Sequence, residues 1–220
     1  MTNIDLTTLR LESGAHKAPT KGMCLLEAVS FIQGEPFGDH PACVSPFLGA
    51  FGRATNDRLP DHLRQNLVPL IPLLPGTAGD GLDERREWLT MDWLIRVYLP
   101  AHLDLHPELA PHATTLRGLP EIVDEATLTE ARPHLEAASG ALASVRASVR
   151  ASVRASVRAS VWDSVRASVR ASVWDSVWAS APEAASRWVE ETLNPLGLRM
   201  HEEHVALFKR LATLGKDGSQ

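Results

Sequence analysis

A chain of 220 residues with 44% apolar and 22% charged side chains suits one globular domain with an appendage, or two small domains, and excludes wholesale disorder. Its two cysteines, Cys24 and Cys43, are too few for a disulfide framework. No apolar run approaches the roughly 18 residues of a membrane span, and the first twenty residues hold no apolar core of a secretion signal. The expectation is a soluble cytoplasmic protein without a membrane partner. The net charge of −5 is unevenly spread: residues 1–140 carry 11 Lys and Arg against 19 Asp and Glu, whereas residues 141–180 carry six Arg against Asp163 and Asp175. A basic middle behind an acidic front can pair within the chain, between chains, or with an outside polyanion.

In chain order, residues 1–20 read as a flexible N-terminus. GMCLLEAVSFIQG then spaces Met23, Leu26 and Ile32 as a helix does, with Gly34 placed to end it. Ser45-Pro46 before FLGAFGRA reads as an N-cap followed by proline in the first turn. Pro69, Pro72 and Pro75 in LVPLIPLLPG exclude a regular α-helix and predict an extended, packed connector. Asp83 opens ERREWLTMDWLIRVYL with acidic residues in its first turn, and Pro100 should stop it. Nothing here alternates with period two, so the expected fold class is all-α: a helical domain over 21–140, a repeat rod over 141–180, C-terminal helices over 181–215 and a short tail over 216–220.

The block GMCLLEAVSFIQGEPFGDHPACVSPFLGAF, with the Trp-rich helix after it, resembles a group of uncharacterised bacterial and phage-type proteins that share a GMC…EAV…DHP-x-C…P-x-L-x-AF pattern and carry tetrapeptide runs. The resemblance covers roughly residues 21–180. It implies the two-part architecture and brings no activity.

From Ala143 to Trp178 a unit of Ala/Asp, Ser, Val and Arg/Trp runs nine times without a break. On an α-helix four residues advance about 400°, so the valines drift by about 40° per unit and circle the helix once in about 54 Å. A heptad holds its seam on one side; this repeat does not. The alternative is a compact β-solenoid with Ala and Val inside, since the same residues also alternate with period two. The flanks favour the helix: LEAASGALAS leads in, and Ser180-Ala181-Pro182-Glu183 is a capping box that opens a new helix. A last helix, LRMHEEHVALFKRLATLG, has Gly215 as its stop. The repeat reads as a docking rod, with Arg146, Arg150, Arg154, Arg158, Trp162, Arg166, Arg170, Trp174 and Trp178 as its contact row. Expansion by slippage under selection for solubility alone is the competing origin.

Three constellations could carry chemistry. His40-x-x-Cys43 has metal-ligand spacing, Cys24 could complete three zinc ligands, and His16, His62 or Glu27 would have to supply a fourth. The same residues could instead make Cys24 a nucleophile beside His40 and Asp39, or simply pack two helices, the Cys as small buried residues and His40 near a cap. His102, Asp104, His106 and His112 read as surface loop residues. His201 and His204 read as one exposed polar face with Glu202 and Glu203, or as half of a metal site between two copies. The Arg/Trp row also suits nucleic acid, where Arg meets phosphate and Trp stacks on bases, though the acidic whole argues against it. The sequence therefore points first to a non-enzymatic protein that docks or self-associates through its repeat, with a Cys24/His40/Cys43 metal or enzyme site as the alternative and nucleic-acid binding as the third.

Overall fold

The computed structural model describes residues 5–156 and 194–216. Among them the chain is all-α, with no strand. It divides into two units, residues 1–87 with 186–220 and residues 88–185. The boundary falls inside a helix rather than ahead of the repeat.

In the first unit, helix α1 (Leu25–Gln33) ends where Gly34 takes φ +73°, and the Glu35 N–H reaches back to the Ser30 carbonyl at 2.9 Å. This is the left-handed stop that glycine provides without steric cost. Helix α2 (Pro46–Arg58) starts on Ser45, whose Oγ accepts the Leu48 N–H at 3.1 Å. After the short α3 (Asp61–Arg64) the proline-rich stretch is not extended. Gln65–Leu73 forms a 3-10 helix with Pro69 and Pro72 inside it. Three residues make one 3-10 turn, so prolines three apart share one edge and their missing N–H groups fall in line. Leu67, Leu70 and Ile71 from this helix are buried, and it packs on α1 and on the C-terminal helix α8 (Asn194–Thr213). Phe51 of α2 meets Phe208 of α8 edge to face, centroids 5.2 Å apart.

The N-terminal segment, expected to be flexible, is a strap closed onto this core. Leu11 is 2% exposed, and Gln65 clamps its backbone on both sides, N–H to Oε1 at 2.9 Å and carbonyl to Nε2 at 3.0 Å. Further along, the Glu12 N–H donates to the Met23 carbonyl, and the Gly14 N–H to Asp57.

Helix α4 (Asp83–Trp93) carries the chain from the first unit into the second. Pro100 does not end the helical path. Leu94–Tyr98 widens into a π turn in which the Leu99 N–H reaches the Leu94 carbonyl, and α5 (Leu99–Leu103) follows with Pro100 in its first turn. The wide turn moves the preceding carbonyls out of the way of the proline ring. A 3-10 turn (Pro107–Leu109) and α6 (Ala110–Arg117) come next.

Helix α7 (Glu125–Ser156) dominates the second unit. Asp124 opens it, accepting the Thr127 N–H at 2.8 Å while Thr127 Oγ1 accepts the Asp124 N–H at 3.1 Å. Pro133 lies within the helix. It and Thr129, whose carbonyl it leaves without an N–H, are both on the exposed face, where water can take the orphaned bond. The opposite face is one narrow stripe: Leu128, Ala131, Leu135, Ala138 and Leu142 are buried against Ile95, Leu103, Leu109, Ala113, Leu116 and Ile122. Steps of three and four average 3.5, the spacing that keeps a seam on one side of a helix. Val145, in the first tetrapeptide unit, still packs against this cluster.

Candidate functional site

The first three tetrapeptide units and Ala155-Ser156 continue α7 as helix, so the solenoid alternative is overturned for that stretch. Arg146, Arg150 and Arg154 lie on it. Arg158, Trp162, Arg166, Arg170, Trp174 and Trp178 fall outside the described residues, as does the capping box at Ser180. The sequence explains the change of character along α7. Leu128 to Val145 keep the three-four alternation of the anchored part, whereas from Val145 on the sequence repeats its valines at strict fours, a spacing that drifts by about 40° per unit on a helix. The core thus grips α7 as far as the first tetrapeptide unit, where Val145 packs against it.

Cys24, His40 and Cys43 are not brought together: no group of three or more His, Cys, Asp or Glu side chains able to hold a metal occurs among the described residues. His40 is an exposed ring whose Nδ1 meets Asp39 Oδ1 at 2.7 Å. Cys43 sits in a turn whose amides bind Glu35, Ala42 N–H at 2.5 Å and Cys43 N–H at 3.0 Å. Cys24 is the N-cap residue of α1 and is 3% exposed. A helix N-terminus lowers a thiol's pKa, but here burial outweighs it, and with the nearby Glu27 carboxylate it pushes Cys24 up to about 12. Burial and Glu35 together push Cys43 up to about 11. Both thiols are protonated at neutral pH, and neither is poised as a nucleophile.

Two residues considered as extra metal ligands do meet, but each other. Glu27 is fully buried, and its carboxylate accepts the His16 N–H at 2.5 Å and the Cys24 N–H at 2.8 Å, with His16 Nδ1 at 2.7 Å. His16 Nε2 lies 3.5 Å from Glu12 Oε2. The cluster staples the strap to the start of α1. Its sequence signal was Cys24-x-x-Glu27, an N-cap followed three residues later by Glu, which is the spacing of a capping box. Gly22 makes room for it: a Cβ there would lie 2.7 Å from Glu12 Oε2 and 2.9 Å from His16 Cδ2.

Arg86 is the second buried charge, 0% exposed. It binds Asp80 through both terminal nitrogens (2.8 and 2.5 Å), Asp83 at 2.8 Å and the Leu211 carbonyl at 3.1 Å. Asp83 also accepts Ser45 Oγ at 2.6 Å, so this one knot ties the starts of α2 and α4 to the end of α8. Arg64, 4% exposed, caps α2 by donating to the carbonyls of Asn56 and Leu59, each at 2.7 Å.

The histidines read as surface groups are not all at the surface. His102 is 6% exposed in the second unit, because α5 continues past Pro100 and turns it inward. Asp104 is exposed and pairs with Arg117. His204 is not part of an exposed polar face. Its ring stacks on Phe51, centroids 4.8 Å apart and planes within 10°, and its Nε2 lies 2.8 Å from Thr55 Oγ1. Burial first, then the charges of His201 and Arg58, push it down to about 4.

A polar cleft of about 350 Å³ opens between the strap and α3, lined by Arg10, Glu12, Asp61, Arg64 and Gln65 among others. The charged groups there are mixed in sign, and Arg64 pairs with Asp61 at 2.6 Å. Among the described residues no helix is long and apolar enough to cross a membrane. Compared with protein families, curated proteins and solved structures, the chain matches none.

Proposed function

We propose that this is a non-enzymatic interaction protein that docks through its tetrapeptide repeat, and that a second copy of the chain is the partner its charge distribution fits. The observation that carries the reading is α7: one helix runs from a buried three-four stripe at Leu128–Leu142 into the repeat as far as Ser156. A helix gripped along one end, whose sequence continues into a segment with no fixed seam, suits docking through that segment. The repeat's six arginines against the acidic balance of residues 1–140 provide attraction between copies that salt weakens. Both thiols being protonated, and the buried charges being used to tie helices together, add support on the non-enzymatic side.

Sedimentation velocity of the full-length chain tests this, beside a variant in which all six repeat arginines are replaced by glutamine. The expected result is a concentration-dependent oligomer at low salt that dissociates with added salt and is absent in the variant. A monomer at every concentration, or an oligomer indifferent to the six substitutions, contradicts the reading. Binding of RNA or duplex DNA that is lost in the same variant would favour nucleic acid as the partner instead.

A further inference from the structure

Helix α7 changes sign along its length. Its exposed side carries Glu125, Glu130 and Glu136 in the first half, with Arg132 among them. Arg132 pairs with Glu125 at 3.4 Å, whereas Glu130 and Glu136 form no ion pair among the described residues. The second half of the same helix has arginine at 146, 150 and 154 and no acidic residue. The two halves mirror each other about position 141. Glu136 and Arg146 stand five residues either side of it, and Glu130 stands eleven before it where Arg150 and Arg154 stand nine and thirteen after it. Around that centre Ala137, Gly140, Ala143 and Ser144 are small and exposed, and a Cβ at Gly140 would meet nothing within 4 Å. A neighbouring helix can therefore come close at the middle of this face.

We propose that α7 pairs antiparallel with α7 of a second copy, crossing near position 141, so that the carboxylates of each first half meet the arginines of the other's second half. The inference rests on the reading that the chain self-associates through its repeat, and it names the surface that receives the arginines. Direction follows from charge. A parallel pair in register would set acid against acid and arginine against arginine. A parallel pair slid by half a helix would satisfy one half and leave the other open. One two-fold antiparallel contact serves both halves at once, because each copy offers what its partner lacks. With a rise of about 1.5 Å per residue, Glu136 then stands level with position 146, and Glu130 lies about 3 Å along the axis from positions 150 and 154. The rest of the repeat does not supply the same complement within the chain. Beyond Ser156 it adds Arg158, Arg166 and Arg170 against Asp163 and Asp175, so it offers the basic half no net attraction.

Charge exchange on the full chain tests the pairing by sedimentation velocity at low salt. One variant carries Glu130→Lys and Glu136→Lys, the other Arg146→Glu, Arg150→Glu and Arg154→Glu. Each alone should self-associate at least about 30-fold more weakly than the unaltered chain, since like charges then oppose across the contact. An equimolar mixture should regain a 1:1 complex, which added salt dissociates. Glu130→Gln with Glu136→Gln adds no cation to the helix and should weaken association by about 5-fold; it takes the place of the Lys variant if that chain loses helix content by circular dichroism. Either reversed variant associating like the unaltered chain, or no complex in the mixture, would overturn the pairing. If the Lys variant is unaffected while the chain with all six repeat arginines replaced is monomeric, this pairing fails and docking through the repeat stands. An unaltered chain that is monomeric at every concentration would overturn both.

Discussion

Replacing Arg86 by methionine keeps an unbranched apolar stem and removes the guanidinium that joins three elements. Breaking a fully buried ion pair costs about 3–5 kcal/mol, chiefly because the surviving charge is stranded. Here the survivors are partly wet: the side chains of Asp80 and Asp83 are 22% and 38% exposed, so water can rehydrate them and the ionic part falls toward about 2 kcal/mol. The Leu211 carbonyl loses its bond from a charged donor, worth roughly 1 kcal/mol more. The first unit should therefore be destabilised by about 3 kcal/mol. With a urea m value of about 2 kcal/mol/M, its unfolding midpoint by circular dichroism should fall by about 1.5 M. Adding Asp80→Asn and Asp83→Asn should recover part of the loss by removing the stranded charges. A fall of less than about 0.3 M in the single variant would refute the reasoning, because it would mean that α8 and α4 are held by apolar packing alone. The pH response has a definite sign. Asp80 has a folded pKa below its ordinary value, so its contribution is full above the ordinary carboxylate range and is lost as pH falls through the folded value; Arg86→Met should flatten that acid limb.

Two further outcomes follow from the strap and the cysteines. Gly22→Ala should cost about 2–3 kcal/mol in thermal unfolding, because φ is +111° and the new Cβ meets His16, whose ring Glu27 holds in place; Gly79→Ala, with φ +69° and open space around it, should cost only about 1 kcal/mol, and equal losses would contradict the staple. Alkylation at about pH 8 should be much slower for both thiols in the native chain than in urea, Cys24 slowest, and a native rate near the unfolded one would contradict the raised thiol pKa values.

What could be read from the sequence was local. Gly34, Ser45-Pro46 and Asp83 mark helix ends through bonds within a few residues, and these are where α1, α2 and α4 stop and start. The strap was illegible for the opposite reason: Leu11, Glu12 and Gly14 are ordered by Gln65, Asn56 and Asp57, more than forty positions away, and no local period announces such partners. Pro100 misled because a wide π turn upstream can absorb a proline, and the spacing of Pro69 and Pro72 suits a 3-10 helix as well as an extended chain. His204 looked exposed because HEEH is polar, yet a position's face is set by Phe51 and Thr55 on another helix. The Cys24, His40 and Cys43 constellation was assembled from spacing alone, and the turn at Glu35–Cys43 directs His40 to Asp39 instead.

The central claim is that α7 runs from its buried stripe into the repeat as a single helix. Nitroxide labels on Glu136→Cys and Ser152→Cys, in a chain with Cys24 and Cys43 replaced by alanine, measure this directly by pulsed electron resonance. Sixteen helical steps separate the two backbones by about 24 Å, and one narrow distance distribution near that value is predicted. A broad distribution, or one centred toward the roughly 50 Å of an extended chain, would contradict it.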